Sequence, residues 1–114
     1  MLTRVLLLLM LLCPLTSVLS AEEVSVLNLS ANGARNTRPF SVKDHWEIRW
    51  NNADTMLMVT VLRAHANGAL ESLPVATGSQ FKPGVGSTYI EKGGDYYLNI
   101  NASGDWTITV VQLP

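Results

Sequence analysis

The feature that most constrains the fold of this chain is the spacing of its apolar residues after position 22. There, apolar and polar residues alternate in short segments, and no segment has the three- and four-residue apolar spacing of an amphipathic helix. Glycine, asparagine and proline separate the segments. Asn32-Gly33 and Asn67-Gly68 are the strongest turn signals, because both residue types tolerate positive φ. The pattern predicts an all-β protein.

The number of alternating segments predicts seven or eight antiparallel strands. We expect them to build one domain over residues 22–114. The glycine-containing stretch 78–86 is predicted to be a long irregular loop. The predicted strands are 23–29, 38–42, 45–51, 56–64, 70–76, 88–91, 96–102 and 106–113.

Two of these segments indicate which residues face the core. In segment 45–51 the aromatic and aliphatic residues share one face, and His45, Glu47 and Arg49 share the other. The polar face is predicted to be a solvated surface of crossed charges, and we do not expect His45 to act as a catalytic base. The tryptophans all fall on apolar faces and are predicted core residues: Trp46, Trp50 and Trp106.

Residues 1–21 have the three-part layout of a secretory signal peptide. Arg4 precedes an unbroken apolar run over residues 5–12, Pro14 ends the run, and small residues follow before position 22. The run is shorter than the ~20 apolar residues of a membrane span. We therefore predict a secreted or periplasmic protein of about 93 residues (114 minus 21), without a membrane span. Because the sole cysteine, Cys13, leaves with the signal, the mature chain cannot form a disulfide.

Composition argues against several classes of function. The net charge is −1 and 15% of residues are charged, so the chain lacks the basic surface that nucleic-acid binding requires. The mature chain has no cysteine and two histidines twenty residues apart, so we expect neither a metal site nor a cofactor. No nucleophile motif such as Gly-x-Ser-x-Gly is present, so no catalytic residue is assigned and the protein is not expected to be an enzyme.

Segment 56–62 is apolar on both faces. If Leu57, Val59 and Val61 face the core, then Met56, Met58 and Leu62 face away from it and need a cover. One explanation is that the loop 78–86 folds over them. The other is a protein contact, with another exported protein or a second copy of the chain, because clustered exposed apolar residues mark interaction sites.

The remaining aromatic residues leave a second function open. Phe81, Tyr89 and Tyr97 are the candidate exposed rings, and exposed rings on a secreted β-protein could form a stacking platform for a glycan. The sequence therefore predicts a non-catalytic binding or structural module that makes protein contacts in the cell envelope. A carbohydrate-binding module is the alternative, and a small hydrolase or accessory domain is a third possibility.

Two resemblances accompany these predictions. The segment GGDYYLNI at 93–100 resembles the tyrosine corner of Greek-key sandwiches, in which Tyr96 would bond to the backbone just upstream. More broadly, TRPFSV at 37–42, WEIRW at 46–50 and GGDYYLNINASGDWTI at 93–108 are similar to a family of small exported bacterial β-sandwich domains of unassigned activity. Together the two resemblances imply an antiparallel Greek-key β-sandwich, either immunoglobulin-like or jelly-roll-like. The second also implies export, and it supplies no functional residues.

Overall fold

The structure, a computed structural model, describes residues 22–65 and 70–114, with side chains described for 22–65 and 73–114. The predicted leader 1–21 and the predicted turn at Asn67-Gly68 lie outside these residues. The described residues form nine strands: β1 (Val24–Asn32), β2 (Arg35–Asn36), β3 (Phe40–Val42), β4 (Trp46–Asn52), β5 (Leu57–Ala64), β6 (Leu70–Gln80), β7 (Gly84–Ile90), β8 (Gly94–Ala102) and β9 (Asp105–Gln112).

The strands form two antiparallel sheets packed as a sandwich. Sheet I has the order β1-β9-β4-β7, and sheet II has the order β2-β8-β5-β6, with β3 also paired to β8. The pairs are nested along the chain: β1 with β9, β2 and β3 with β8, β4 with β7, and β5 with β6. A long antiparallel hairpin rolled into two layers gives this order, which is that of a jelly roll. The topology thus selects the jelly roll over the immunoglobulin-like alternative.

The predicted strand count was low because β2 is only two residues long. A two-residue strand has no alternation for a pattern search to detect. β2 pairs with β8 from Arg35 opposite Ile100, and β3 continues along β8 from Phe40 opposite Tyr96. The two short strands therefore act as one edge strand that is interrupted between Asn36 and Phe40.

The prediction of an irregular loop over residues 78–86 was wrong. Those residues are the end of β6, a three-residue connection at 81–83 and the start of β7. Glycine and proline usually mark loops, but here Gly78 and Gly86 lie in strands that approach the Trp50 ring. The stretch therefore does not fold over Met56 and Met58.

The core lies between the sheets and contains the three tryptophans, which confirms the alternation of β4 and β9. All three rings are buried. A buried indole N–H needs a hydrogen-bond acceptor, and each one has it: the carbonyl of Lys92 for Trp46, Gln80 Oε1 for Trp50, and the carbonyl of Gly33 for Trp106.

The tyrosine corner is confirmed in its geometry. The buried Tyr96 hydroxyl donates to the carbonyl of Lys92 at 2.9 Å, and Trp46 Nε1 donates to the same carbonyl at 2.9 Å. The Trp46 and Tyr96 rings pack with centroids 5.1 Å apart, and Phe40 meets Trp46 edge-on at 5.6 Å. This cluster joins the start of β8 in sheet II to β4 in sheet I.

Candidate functional site

Exposed apolar side chains are concentrated on one side of the sandwich. The side chains described include seven large apolar ones that are exposed, and five of the seven belong to β6, β7 or their connection: Leu73, Val75, Phe81, Val85 and Tyr89. Leu73, Phe81 and Val85 are the most exposed, at 79%, 67% and 76%. In β6, β7 and their connection the charged residues are Glu71, near the start of β6, and Lys82. We call this apolar and nearly uncharged side the β6–β7 edge.

The backbone of this side is also open. β6 is the last strand of sheet II and β7 is the last strand of sheet I, so each has one flank without a partner strand. Register shifts and prolines, which protect edge strands, occur on both sides of the sandwich. β1 contains a register shift between Ser25 and Leu27, and β6 contains Pro74 and two register shifts against β5 but is regular from Ala76 to Gln80. β7 pairs with β4 without a shift. A regular free edge and exposed apolar residues thus coincide at β6 and β7.

The connection between β6 and β7 is held by a buried amide. Asn52, at the end of β4, is 1% exposed, and its Nδ2 donates to the carbonyl of Lys82 at 3.1 Å and to that of Asp54 at 2.7 Å. Gln80 Nε2 donates to the same Lys82 carbonyl at 3.0 Å, while Gln80 Oε1 accepts from Trp50. These bonds fix the backbone on both sides of Phe81, so its ring projects from an anchored connection.

Two glycines let the Trp50 ring lie between the edge strands. A Cβ added at Gly78 would stand 2.8 Å from the Trp50 ring and 2.6 Å from Thr88 Oγ1. A Cβ added at Gly86 would stand 2.6 Å from Trp50 Nε1 and 2.8 Å from Gln80 Oε1. The absence of side chains here allows β6 and β7 to close around the indole.

The predicted strip of Met56, Met58 and Leu62 is not a continuous surface. Met58 is exposed, Met56 is half-buried before the start of β5, and Leu62 is 6% exposed. Met58 also lies between polar neighbours on adjacent strands, with Asn101 opposite it on β8 and Ser79 on β6. The strip therefore leaves one exposed methionine rather than an apolar patch.

The expected exposure of Leu62 and of Tyr97 was wrong for a common reason. They lie opposite each other in the pairing of β5 with β8, and they form a second buried cluster with Ala64. Tyr97 is 8% exposed. Cross-strand neighbours on one face of a sheet can cover each other, which the sequence of either strand alone does not reveal. Of the three candidate rings, the structure exposes Phe81 and Tyr89.

The outer face of sheet I has a depression of about 440 Å³. Its lining includes Glu47, Arg49, Thr107 and Thr109, with Val85 at the rim towards the β6–β7 edge. Arg49 donates to Glu47, which confirms the crossed charges on this face, and makes a two-bond ion pair with Glu23 at 2.7 and 2.9 Å. The hydrogen bonds from Arg49 lower the pKa of Glu23. The carboxylates of Glu23 and Glu47, which accept these bonds, raise the pKa of Arg49.

His45 does not lie in the strand where the alternation placed it. It precedes β4 with a φ of 66°, in the left-handed region that few non-glycine residues adopt. Its Nδ1 is hydrogen-bonded to the Tyr89 hydroxyl, and the two rings stack with centroids 6.2 Å apart. The contact positions the exposed Tyr89 ring at the end of β7 remote from Phe81.

Neither a metal site nor a membrane helix is found within the described ranges. There, no group of three or more His, Cys, Asp or Glu side chains is arranged to hold a metal ion. No helix in that part of the chain is long and apolar enough to cross a bilayer.

Comparisons with known proteins assign no family to the chain. No protein-family model matches it, and no curated protein matches it, so the resemblance to an exported sandwich family stays a prediction. Among solved structures, a chain from the work described as "Bacillus endospore appendages form a novel family of disulfide-linked pili" is similar at 9% identity and a TM-score of 0.37. The match covers 82% of this chain and 94% of that one. A likeness at that TM-score does not support an assignment of fold or function. The fold is therefore assigned from the strand pairing.

Proposed function

We propose that this protein is an exported, non-catalytic jelly-roll module that works by protein contact through its β6–β7 edge. The observation that carries the proposal is the coincidence of two features on one side of the sandwich. Five of the seven exposed large apolar side chains described lie where both sheets have an unpaired strand edge. Exposed apolar clusters and free strand edges are each used for protein recognition.

The anchoring of the edge supports the same proposal. Asn52, Gln80 and Trp50 hold the 81–83 connection by hydrogen bonds, so little conformational entropy would be lost when Phe81 contacts a partner. Pre-organised aromatic side chains are favoured anchors in interfaces. Export rests on the leader pattern of residues 1–21 and puts the edge outside the cytoplasm.

The carbohydrate-binding alternative has less support. A glycan platform needs exposed rings that lie side by side, whereas Phe81 lies in the connection before β7 and Tyr89 lies near the other end of that strand. Tyr97 is buried and contributes no ring. Two separated rings provide a weaker binding surface than an edge that combines five exposed apolar side chains with unpaired strand backbone.

Site-specific photo-crosslinking tests the proposal. A photoreactive phenylalanine analogue is placed at Phe81 or at Val85 in the full-length gene, and the exporting cells are irradiated. We expect protein-sized adducts on denaturing gels from both positions. The control is the same analogue at Asn28, an exposed residue of β1 on the opposite side of the sandwich.

Absence of adducts at Phe81 and Val85, or equal adducts at Asn28, would contradict the proposal. Retention on an immobilised polysaccharide that Tyr89→Ala abolishes, without adducts at Phe81, would favour the carbohydrate-binding alternative instead.

A further inference from the structure

We infer that the side of the sandwich opposite the β6–β7 edge binds a small amphiphilic anion, in a cleft between β1 and β2. Such a ligand has an apolar chain and one oxyanion head group, a carboxylate or a phosphate. β1 and β2 are the edge strands at the far ends of the two sheets, so the inference goes beyond the proposed function and does not depend on it. The cleft has a volume of about 270 Å³, near the lower end of ligand pockets, which suits a small molecule. We call it the β1–β2 cleft.

The apolar part of the cleft is the inner face of β1. Leu27 and Leu29 lie opposite Val110 and Ile108 of β9, which are both fully buried, so the two leucines also point into the sandwich. They are nevertheless only half-buried. The reason is that β2, which lies across the cleft from them, is only two residues long. Two core-facing aliphatic side chains are therefore left for a ligand to cover.

Across the cleft, sheet II supplies positive charge. Arg35 lies opposite the fully buried Ile100 of β8, so it belongs to the core-facing side of the sheet. Arg38 lines the same cleft. Both arginines are exposed, and neither side chain has an ion pair or hydrogen bond with the residues that the structure describes. Two guanidinium groups without a counter-charge match an oxyanion head group.

A further hydrogen-bond donor comes from Thr37, which also lines the cleft and is 8% exposed. Its Oγ1 accepts a bond from the Leu98 N–H at 2.9 Å. A threonine hydroxyl can also donate one bond, and within the described ranges this hydroxyl has no acceptor. Its O–H is therefore available to an oxyanion held by the arginines.

The strands around the cleft favour a small ligand over an added strand. An added strand needs a run of backbone groups in register. β1 is shifted in register between Ser25 and Leu27, and the β2–β3 strand is interrupted and includes Pro39, which has no N–H. A compact ligand needs no such run, because side chains would hold both its apolar chain and its head group.

Octanoate and octyl phosphate test the inference, with octanol as the uncharged control. We expect isothermal titration calorimetry, on protein purified from cells that express the full-length gene, to show saturable binding of at least one anion. The tighter of the two identifies the head group. Octanol has the same chain without the charge and should bind at least about tenfold more weakly. In NMR spectra, amide shifts should change at Leu27, Leu29 and Thr37 and not at Phe81 or Val85.

Two variants test the head-group contacts. Arg35→Gln and Arg38→Gln each remove one exposed charge, and each should weaken anion binding at least about tenfold and leave octanol binding unchanged. Lys82→Gln is the matched control, because it removes one exposed positive charge from the β6–β7 edge and should leave anion affinity unchanged. Fluorescence of the buried tryptophans verifies that the variants are folded.

Several results would overturn the inference. Equal affinities for octanol and the anions would show that Arg35 only shields the strand edge, and no saturable binding of either anion would show that the cleft is not a site. Loss of affinity in Lys82→Gln alone would place the ligand at the β6–β7 edge. Tighter binding of polyglutamate than of octanoate would make the occupant an acidic peptide. None of these results affects crosslinking at Phe81, so the proposed function is tested separately.

Discussion

The close approach of β7 to Trp50 predicts that a single added methyl group at Gly86 will destabilise the fold. Gly86 lies directly opposite Trp50 in the pairing of β4 with β7. A Cβ at Gly86 would stand 2.6 Å from Trp50 Nε1 and 2.7 Å from Cε2, and these atoms belong to a rigid, buried ring. The ring would have to retreat by roughly 1 Å to reach ordinary van der Waals separation, and close-packed interiors resist such shifts.

Two costs add up in Gly86→Ala. Overpacking of a buried site typically costs about 1–3 kcal/mol of the free energy of unfolding. Displacement of the ring also strains the bond from Trp50 Nε1 to Gln80 Oε1, which is 3.0 Å long, and loss of such a bond costs about 1 kcal/mol. We therefore expect a loss of about 2–4 kcal/mol, and a fall in the melting temperature of roughly 10 °C or more.

Urea denaturation followed by tryptophan fluorescence measures this loss, and a double-mutant cycle identifies its cause. Trp50→Phe removes the indole atoms nearest to Gly86, so Gly86→Ala should cost at least about 1 kcal/mol less in that background. Gly33→Ala is the matched control. Gly33 has a φ of 74° and its added Cβ would meet no atom within 4 Å, so its cost of ~1–2 kcal/mol is due to backbone strain. That cost should be the same in both backgrounds.

Two results would refute this reasoning. One is a Gly86→Ala variant with the denaturation midpoint of the wild type. The other is an unchanged penalty in the Trp50→Phe background, which would show that the cost does not come from the ring.

Three further predictions address other parts of the chain. Tyr96→Phe removes the hydroxyl that donates to the Lys92 carbonyl and should lower the free energy of unfolding by about 1 kcal/mol in urea denaturation; an unchanged midpoint would show that the corner bond does not stabilise the fold. Because Arg49 lowers the pKa of Glu23 below its ordinary 4.5 in the folded protein, Glu23→Gln should lower the melting temperature at neutral pH, and the difference from wild type should vanish as the pH falls well below 4.5. A difference that persisted in acid would contradict an ionic origin. Mass spectrometry of the exported product should find an N-terminus between Ser20 and Val24, whereas recovery of intact Met1 would contradict the signal-peptide prediction.

Glycine residues prevented sequence analysis from recognising part of the candidate site as strand. Segment 84–90 alternates well enough for a strand, yet Gly84 and Gly86 beside Pro83 favoured a loop. As a result Val85 was not recognised as an exposed strand residue, and β6 was predicted to end at residue 76 rather than at Gln80. One signal was available: residues 72–81 form an uncharged stretch in an exported chain, which is characteristic of a strand that makes contacts.

The predicted strip of Met56, Met58 and Leu62 shows the opposite error, because Leu62 was predicted to be exposed and is buried. The alternation of β5 correctly separated the buried Leu57, Val59 and Val61 from the outward side of the strand. It could not show that the outward Leu62 has Tyr97 across from it on β8. Burial on the outer face of a sheet depends on which strand is the neighbour, and that information lies some 35 positions further along the chain.

The sequence by itself determined the properties that depend on one strand at a time: the all-β class, the inward faces of β4 and β9, the buried tryptophans and the corner Tyr96. Period-two alternation is local, because successive side chains of any strand point to opposite faces. The tertiary structure alone decided the jelly-roll order, the burial of Leu62 with Tyr97, and the position of β6 and β7 as free edges. Each of these depends on pairing between residues distant in sequence, and whether a strand has a partner on one side or on two is a property of the whole sheet.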